Sequence, residues 1–366
     1  MVDIIPEKHR RGRGAVSNAS GRFETERRMR IDDGWGDGQG NSWQETDELP
    51  TLRTTVMADT TKRIITTNDS PDINFSQSIN AYRGCEHGCT YCFARPTHAY
   101  LGFSPGLDFE TKLVAKFDGP KLLEQELRNP RYRCAIIAMG TNTDPYQPIE
   151  REHRLTRGIL DVMSAFNQPT GIVTKNALVA RDVDILASMA ERHLATVHLS
   201  VTSLDPQLAR NMEPRASAPH RKLAAIKALS SAGIPTGVMT APMIPGLNDS
   251  EMEDILAAAW EAGARRAGYT LIRMPYEIKD LFAEWLEAYY PMKAKHVLNL
   301  IKETHGGRLY DPRWGSRMRG EGHYAELVST RFRLACRKLG FNQQHFHLDT
   351  TKFAPPPKEG DQLRLL

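Results

Sequence analysis

Apolar positions follow two periods along this chain, and the switches between them mark out its elements. Short runs at Ser78–Tyr82, Ala135–Met139, Gly171–Thr174, Thr196–Ser200, Thr236–Thr240 and Gly268–Ile272 predict strands. Between them, a 3.6-residue period over Lys121–Arg128, Arg154–Phe166, Asp182–Arg192, His220–Ala232 and Asp249–Ala262 predicts amphipathic helices. Asp249 heads its run as a start signal, while Gly233 and Gly263 follow theirs as stops. Strand–helix alternation of this kind predicts a parallel sheet with right-handed crossovers. Six such repeats suit an α/β fold built as an open, partial (β/α)6 TIM-like barrel better than a closed eight-fold ring. In such folds the chemistry sits at the C-terminal ends of the strands.

The flanks follow neither period. Residues 1–72 hold a basic stretch (Lys8, Arg10, Arg11, Arg13) and a Gly-rich, acidic stretch from Asp32 to Pro50. They read as an extended, partly disordered arm, with strands or edge segments at Thr54–Met57 and Arg63–Thr66. The barrel is expected over 73–279. A helical extension follows over 280–366, with helices at Leu281–Tyr290, Met292–His305 and Ala325–Lys338 and a loose, Pro-rich tail from Ala354.

Composition adds a few limits. The 366 residues carry a net charge of +4 and a pI near 8.7, which permits an anionic partner without demanding one. Met1–Arg13 lacks the apolar core of a secretory signal, and no apolar run reaches the ~18 residues that mark a membrane span. A cytoplasmic protein without membrane contact is expected. Five cysteines are too few and too uneven for a disulfide framework, yet Cys85, Cys89 and Cys92 fall together.

The segment Arg83-Gly-Cys85-Glu-His-Gly-Cys89-Thr-Tyr-Cys92-Phe follows the first predicted strand, so it should form a loop at a strand's C-terminal end. Clustered thiolates are soft donors, suited to zinc or to iron–sulfur. A structural zinc site needs a fourth ligand, for which His87 and His98 are the nearby candidates. Three ligands on an iron–sulfur cluster would instead leave one iron open to bind a small molecule.

The spacing Cys-x3-Cys-x2-Cys with aromatic neighbours resembles the radical S-adenosylmethionine (SAM) superfamily. Further landmarks over Ser78–Gly246 resemble its spore photoproduct lyase-like group. The resemblance implies a [4Fe–4S] cluster on Cys85, Cys89 and Cys92 and SAM as cofactor. It also implies reductive cleavage of SAM to a 5′-deoxyadenosyl radical, with a reductant such as flavodoxin or ferredoxin as partner. Gly140-Thr-Asn-Thr-Asp144 is similar to that family's Thr-Ser-Asp turn, which implies Thr141, Asn142 and Asp144 near the methionine end of SAM. Lys175 matches a lysine implied at the SAM carboxylate, and Ser200 a serine that bonds SAM. Met239 and Phe93 would lie beside adenine. Glu213-Pro214 and Ala241-Pro242 continue the likeness. One position departs. Where spore photoproduct lyase has the cysteine that returns a hydrogen atom to the product, this chain has Gly140, and Cys134 lies at the far end of that strand.

Two more segments bear on substrate. Arg95–Glu110, rich in Gly, Pro and aromatics, reads as a lid or substrate wall. Arg308–Gly320 interleaves arginines with Tyr310 and Trp314, a mix that suits phosphate contact and base stacking. The readings carried forward are a radical SAM enzyme acting on nucleic acid, possible lyase-like repair included, one acting on a peptide, protein or small metabolite, and a non-enzymatic metal-binding scaffold.

Overall fold

The computed structural model describes residues 10–24, 52–343 and 346–357. Among the described residues there are ten strands: β1 (Thr55–Ala58), β2 (Ile65–Thr67), β3 (Gln77–Ile79), β4 (Tyr82–Arg83), β5 (Lys112–Ala115), β6 (Ile137–Met139), β7 (Thr170–Thr174), β8 (Ala195–Ser200), β9 (Thr236–Met243) and β10 (Arg266–Leu271). Seven form one sheet in the order β10-β9-β8-β7-β6-β3-β2. All neighbours in it are parallel except β2, which runs antiparallel to β3 at the edge. The six parallel strands are the six expected, so the fold is a partial, TIM-like α/β barrel. A small second sheet, β1-β5-β4, sits beside the loop that carries the cysteines.

Alternation along each strand explains the layering. Ile137, Met139, Ile172, Val197, Leu199 and Val238 point outward and are almost wholly removed from water. Each such side chain contributes roughly 1.5–3 kcal/mol. Helices Leu155–Ala165, Val183–Glu191, Pro219–Ser231 and Met252–Glu261 cover that face, as their periods required. The last of these begins after Asp249, because Asp249–Glu251 first makes a 3-10 turn. The opposite face holds Gly171, His198, Gly237 and Gly268. A Cβ at Gly237 would stand 2.3 Å from the His198 ring, so glycine there leaves room for the imidazole.

The flanks are more ordered than their composition suggested. Residues 10–24 pack onto the cysteine loop, and β2 joins the main sheet ahead of the boundary expected at residue 73. Lys8 and the stretch Asp32–Pro50 lie outside the described residues. The three expected C-terminal helices run over Ile278–Tyr289, Pro291–Glu303 and Gly322–Leu339. The tail is anchored where it begins: Phe353 packs 5.3 Å from the Tyr132 ring, and Ala354 donates its N–H to Phe166 O at 3.0 Å. That contact closes the end of the barrel away from the cysteines. Among the described residues no helix is long and apolar enough to cross a membrane.

Candidate functional site

The cysteine loop leaves β4 through Gly84, whose φ of +75° lies in the left-handed region that glycine tolerates. Cys85 N–H donates to Phe109 O at 2.9 Å, and the loop turns twice, with Gly88 N–H on Cys85 O and Cys92 N–H on Cys89 O, each at 3.3 Å. All three cysteines are free thiols. Cys85 and Cys89 are buried and Cys92 partly so.

A buried ion pair fixes this loop. Arg95 and Glu110, both fully buried, meet at 2.5 Å. Arg95 also donates to Cys89 O at 2.9 Å and to Gly88 O at 3.1 Å. Glu110 accepts the N–H groups of Gly14 and Ala15, each at 2.9 Å. Gly14 lies so close that a Cβ on it would come within 1.7 Å of Gly88 O. Arg13, expected on a free basic arm, is instead buried and donates to Glu110 O at 2.9 Å and Leu52 O at 2.5 Å. The Arg95–Glu110 segment is therefore an anchored wall and not a lid. Its exposed positions are Thr97, Tyr100 and Gly102.

The two histidines that could complete a zinc site are engaged elsewhere. The Nε2 of His87 lies 3.2 Å from Asn176 Nδ2, and its Nδ1 faces Asp144 at 3.4 Å. His98 bonds Lys112 O at 2.9 Å. Among the described residues, no three His, Cys, Asp or Glu side chains converge as ligands of a single ion. A cubane asks for a different arrangement, three thiolates each on its own iron. Three free thiols on one loop fit that donor set. Burial pushes all three up, so a bound cationic centre is what would favour their thiolate forms.

The strand ends bring the other expected residues beside this loop. Asn142 and Thr143 donate their N–H groups to Asn80 Oδ1 at 3.1 and 3.2 Å, and Asn80 also reaches Thr141. Asn80 follows β3 and carried no sequence signal. Asp144 accepts from the Thr174 hydroxyl and from Lys175 N–H, each at 2.7 Å. Burial alone would raise its carboxyl, but the His87 ring and these donors hold it below the usual carboxylate range. Asp144 thus ties β6, β7 and the cysteine loop together.

Lys175 reaches Glu213 at 3.8 Å and lies 5.7 Å from the centre of the Tyr91 ring. Burial would lower its pKa, but Glu213, then Cys89 and Asp144, hold the ammonium above its ordinary value. Glu213 is buried and accepts from Lys222 at 2.6 Å, from the Thr202 hydroxyl at 2.9 Å and from the Tyr91 hydroxyl. Burial opposes ionisation, yet Lys222 and Lys175 outweigh it and hold Glu213 down to about 2. The sequence offered only the Glu-Pro dipeptide here, with no role attached.

Ser200 pairs in register with Met239, which sets those two side by side at the end of β8 and midway along β9. Phe93 points outward, and Arg273 stacks on its ring at 4.2 Å. At Gly140 a Cβ would come within 1.9 Å of Val173 O, and φ is +85°. No side chain fits where the resemblance places a hydrogen-donating cysteine. Cys134 stays beside Gln168, whose amide bonds Ala135 O and Pro169 O at the strand beginnings.

Residues 79–259 match the family model described as Radical SAM superfamily. The chain carries a radical SAM domain. An uncharacterized protein of Mycobacterium tuberculosis is 39% identical to the chain over 219 residues, a match that covers 59% of this chain and 64% of the relative. An uncharacterized protein of Methanocaldococcus jannaschii is 29% identical over 173 residues, covering 47% of this chain and 62% of the relative. The chain therefore spans less than two thirds of the length of these relatives. In fold, the radical SAM domain and its flanks are similar to spore photoproduct lyase complexed with dinucleoside spore photoproduct. That match has a TM-score of 0.53 at 17% identity and covers 78% of this chain and 80% of the other.

Proposed function

We propose that the protein is a radical SAM enzyme whose Cys85, Cys89 and Cys92 hold a [4Fe–4S] cluster, and that its substrate is a nucleic acid or a piece of one. When bound, cluster and SAM together supply a 5′-deoxyadenosyl radical that removes a hydrogen atom from substrate. The observation that carries the chemistry is the placement of three free cysteines on one loop beside Lys175 and Glu213. Lys175 keeps its proton and offers a point charge to the SAM carboxylate. Glu213 and Lys222 fix Tyr91 next to Cys92. Asp144 and Asn80 hold the 141–144 turn in place. Ser200 and Met239 offer one polar and one apolar contact to the nucleoside half.

The substrate class draws support from pairs of exposed aromatics and arginines. Arg273 covers Phe93, Arg317 covers Trp314 at 4.2 Å, and Arg22 covers Tyr276 at 3.7 Å. Rings backed by guanidinium groups stack on bases and attract phosphate. Within Arg308–Gly320, Arg313 and Arg317 are also held by Asp311 and Asp72, so that segment serves as a folded wall presenting Trp314. With no side chain at Gly140, return of a hydrogen atom cannot follow the cysteine route of spore photoproduct lyase.

The test is anaerobic. Wild type and Cys89→Ala are reconstituted with iron and sulfide, given SAM and dithionite, and assayed for 5′-deoxyadenosine with DNA, RNA, peptide or metabolite pools. Formation by wild type alone, raised by nucleic acid, is expected. A rise with peptide or metabolite pools only would replace the substrate assignment. Stoichiometric zinc without iron or sulfide would end the radical reading.

A further inference from the structure

Three arginines line a hollow of about 660 Å³ outside the cysteine loop, at the ends of β6 and β7 and before the helix Pro219–Ser231. They are Arg151, Arg215 and Arg221, joined by Asn176 and Ser217. Arg151 and Arg221 are exposed, and among the described residues neither is ion-paired with a carboxylate. Arg215 is partly held, by Glu86 at 3.4 Å. The hollow is thus a concentration of positive charge that the fold itself leaves largely uncompensated.

Two of its lining residues, Arg215 and Asn176, are bonded to the cysteine loop behind them. Arg215 N–H donates to His87 O at 3.2 Å, and the Asn176 amide meets the His87 ring at 3.2 Å. The Ser217 hydroxyl donates to Asn176 Oδ1 at 2.9 Å and fixes that amide. His87 lies between Cys85 and Cys89 in the chain and is itself buried. One residue layer therefore separates the arginine hollow from the loop. The strap at Gly14 covers the same loop over Gly88, and Lys175 and Tyr91 occupy the side toward the strand ends.

Resting on the radical SAM reading above, we propose that this hollow docks an acidic one-electron carrier protein. The chemistry of that reading needs one electron delivered from outside. One electron leaves the reduced carrier, which is oxidised by one unit, and one electron enters the cluster, with no atom transferred. The hollow is the basic face behind the cysteine loop, and carboxylates on a carrier complement its guanidinium groups. Electron-transfer contacts are small and electrostatically steered, which a hollow of this size and charge suits.

Flavodoxin is the probe, and the variant is Arg151→Ser/Arg221→Ser, which removes two exposed groups and leaves Arg215 in its wall contacts. The first readout is calorimetric affinity of flavodoxin for the cluster-free protein at low and high salt. The variant should bind about tenfold more weakly and lose most of the salt dependence. The second is reduction of the reconstituted cluster. Reduction by flavodoxin should slow in the variant, while dithionite, which needs no docking, should keep its wild-type rate. Unchanged flavodoxin affinity and rate overturn the proposal. So does loss of binding to a single-stranded oligonucleotide with flavodoxin unaffected, which would make the hollow a phosphate site. A wild type that assembles no iron–sulfur cluster overturns the underlying reading instead, and the cluster-free titration still reports on the hollow by itself.

Discussion

The carboxylate of Glu110 accepts the backbone N–H of Gly14 at 2.9 Å, across most of a hundred residues of chain. Because the same carboxylate is the counter-ion of buried Arg95, the N-terminal strap and the cysteine loop share one electrostatic anchor. Glu110→Gln leaves the Arg95 charge buried without its partner. We expect a loss of roughly 3–5 kcal/mol in chemical denaturation of the cluster-free protein. Limited proteolysis should then cut within residues 10–24 faster than in wild type.

Gly140 offers a sharper case, since restoring the cysteine of the lyase is an obvious substitution to try. The new side chain would meet Val173 O and occupy a left-handed backbone position. Gly140→Cys should cost about 1–3 kcal/mol from overpacking, with about 1–2 kcal/mol more from backbone strain. A lowered Tm without any gain in product turnover is the expected result. An unchanged Tm would mean that β6 and β7 part more readily than their packing implies.

Lys175 and Lys222 both face Glu213 but should fail differently. Lys222 is buried with its partner, so Lys222→Met should destabilise the fold by about 3–5 kcal/mol. Lys175 is more open and leaves Glu213 paired when removed. Lys175→Gln should unfold near the wild-type denaturant midpoint yet bind SAM about tenfold or more weakly, as equilibrium dialysis would show. Equal loss of stability in both variants would argue against a ligand-facing role for Lys175.

His198 should make stability depend on acidity. Burial, with Arg266 adding to it, lowers its folded pKa to about 4, against about 6.5 in the unfolded chain. The unfolded state then binds more protons between those values, so stability is complete above about pH 6.5 and declines as pH falls toward 4. The loss, complete below about pH 4, is at most about 3–4 kcal/mol. His198→Asn should flatten this limb in denaturant titrations, and a limb unchanged by the substitution would assign the loss to other groups.

Much of the fold was legible because the barrel strands are single-purpose. Ile137, Met139, Val197 and Leu199 have no partner choice other than the helices, so period and position agree. The cysteine loop was legible because thiol spacing carries its own chemistry. The parts that stayed hidden depend on pairing across distance. Arg13 reads as a tail charge until Glu110 is found opposite it, and Asn80 is one more polar residue until the 141–144 turn folds over it. The helix Pro206–Met212 falls outside the sequence periods although Asp205 and Pro206 announce it, with Asp205 Oδ1 accepting Gln207 N–H at 2.8 Å. Short helices hold too little periodicity to outweigh a loop reading.

The placement of the Arg95–Glu110 anchor also sets an order of assembly. Strap, cysteine loop and anchor all lie before Lys112, so a chain emerging from the ribosome holds every one of these pieces before β6 has been made. Lys175 and Glu213 arrive later, and Phe353 reaches its contact with Tyr132 later still. N-terminal segments generally fold first as they emerge. The nascent protein therefore carries its three thiols on a loop whose own anchor is complete while the rest of the barrel is still being synthesised.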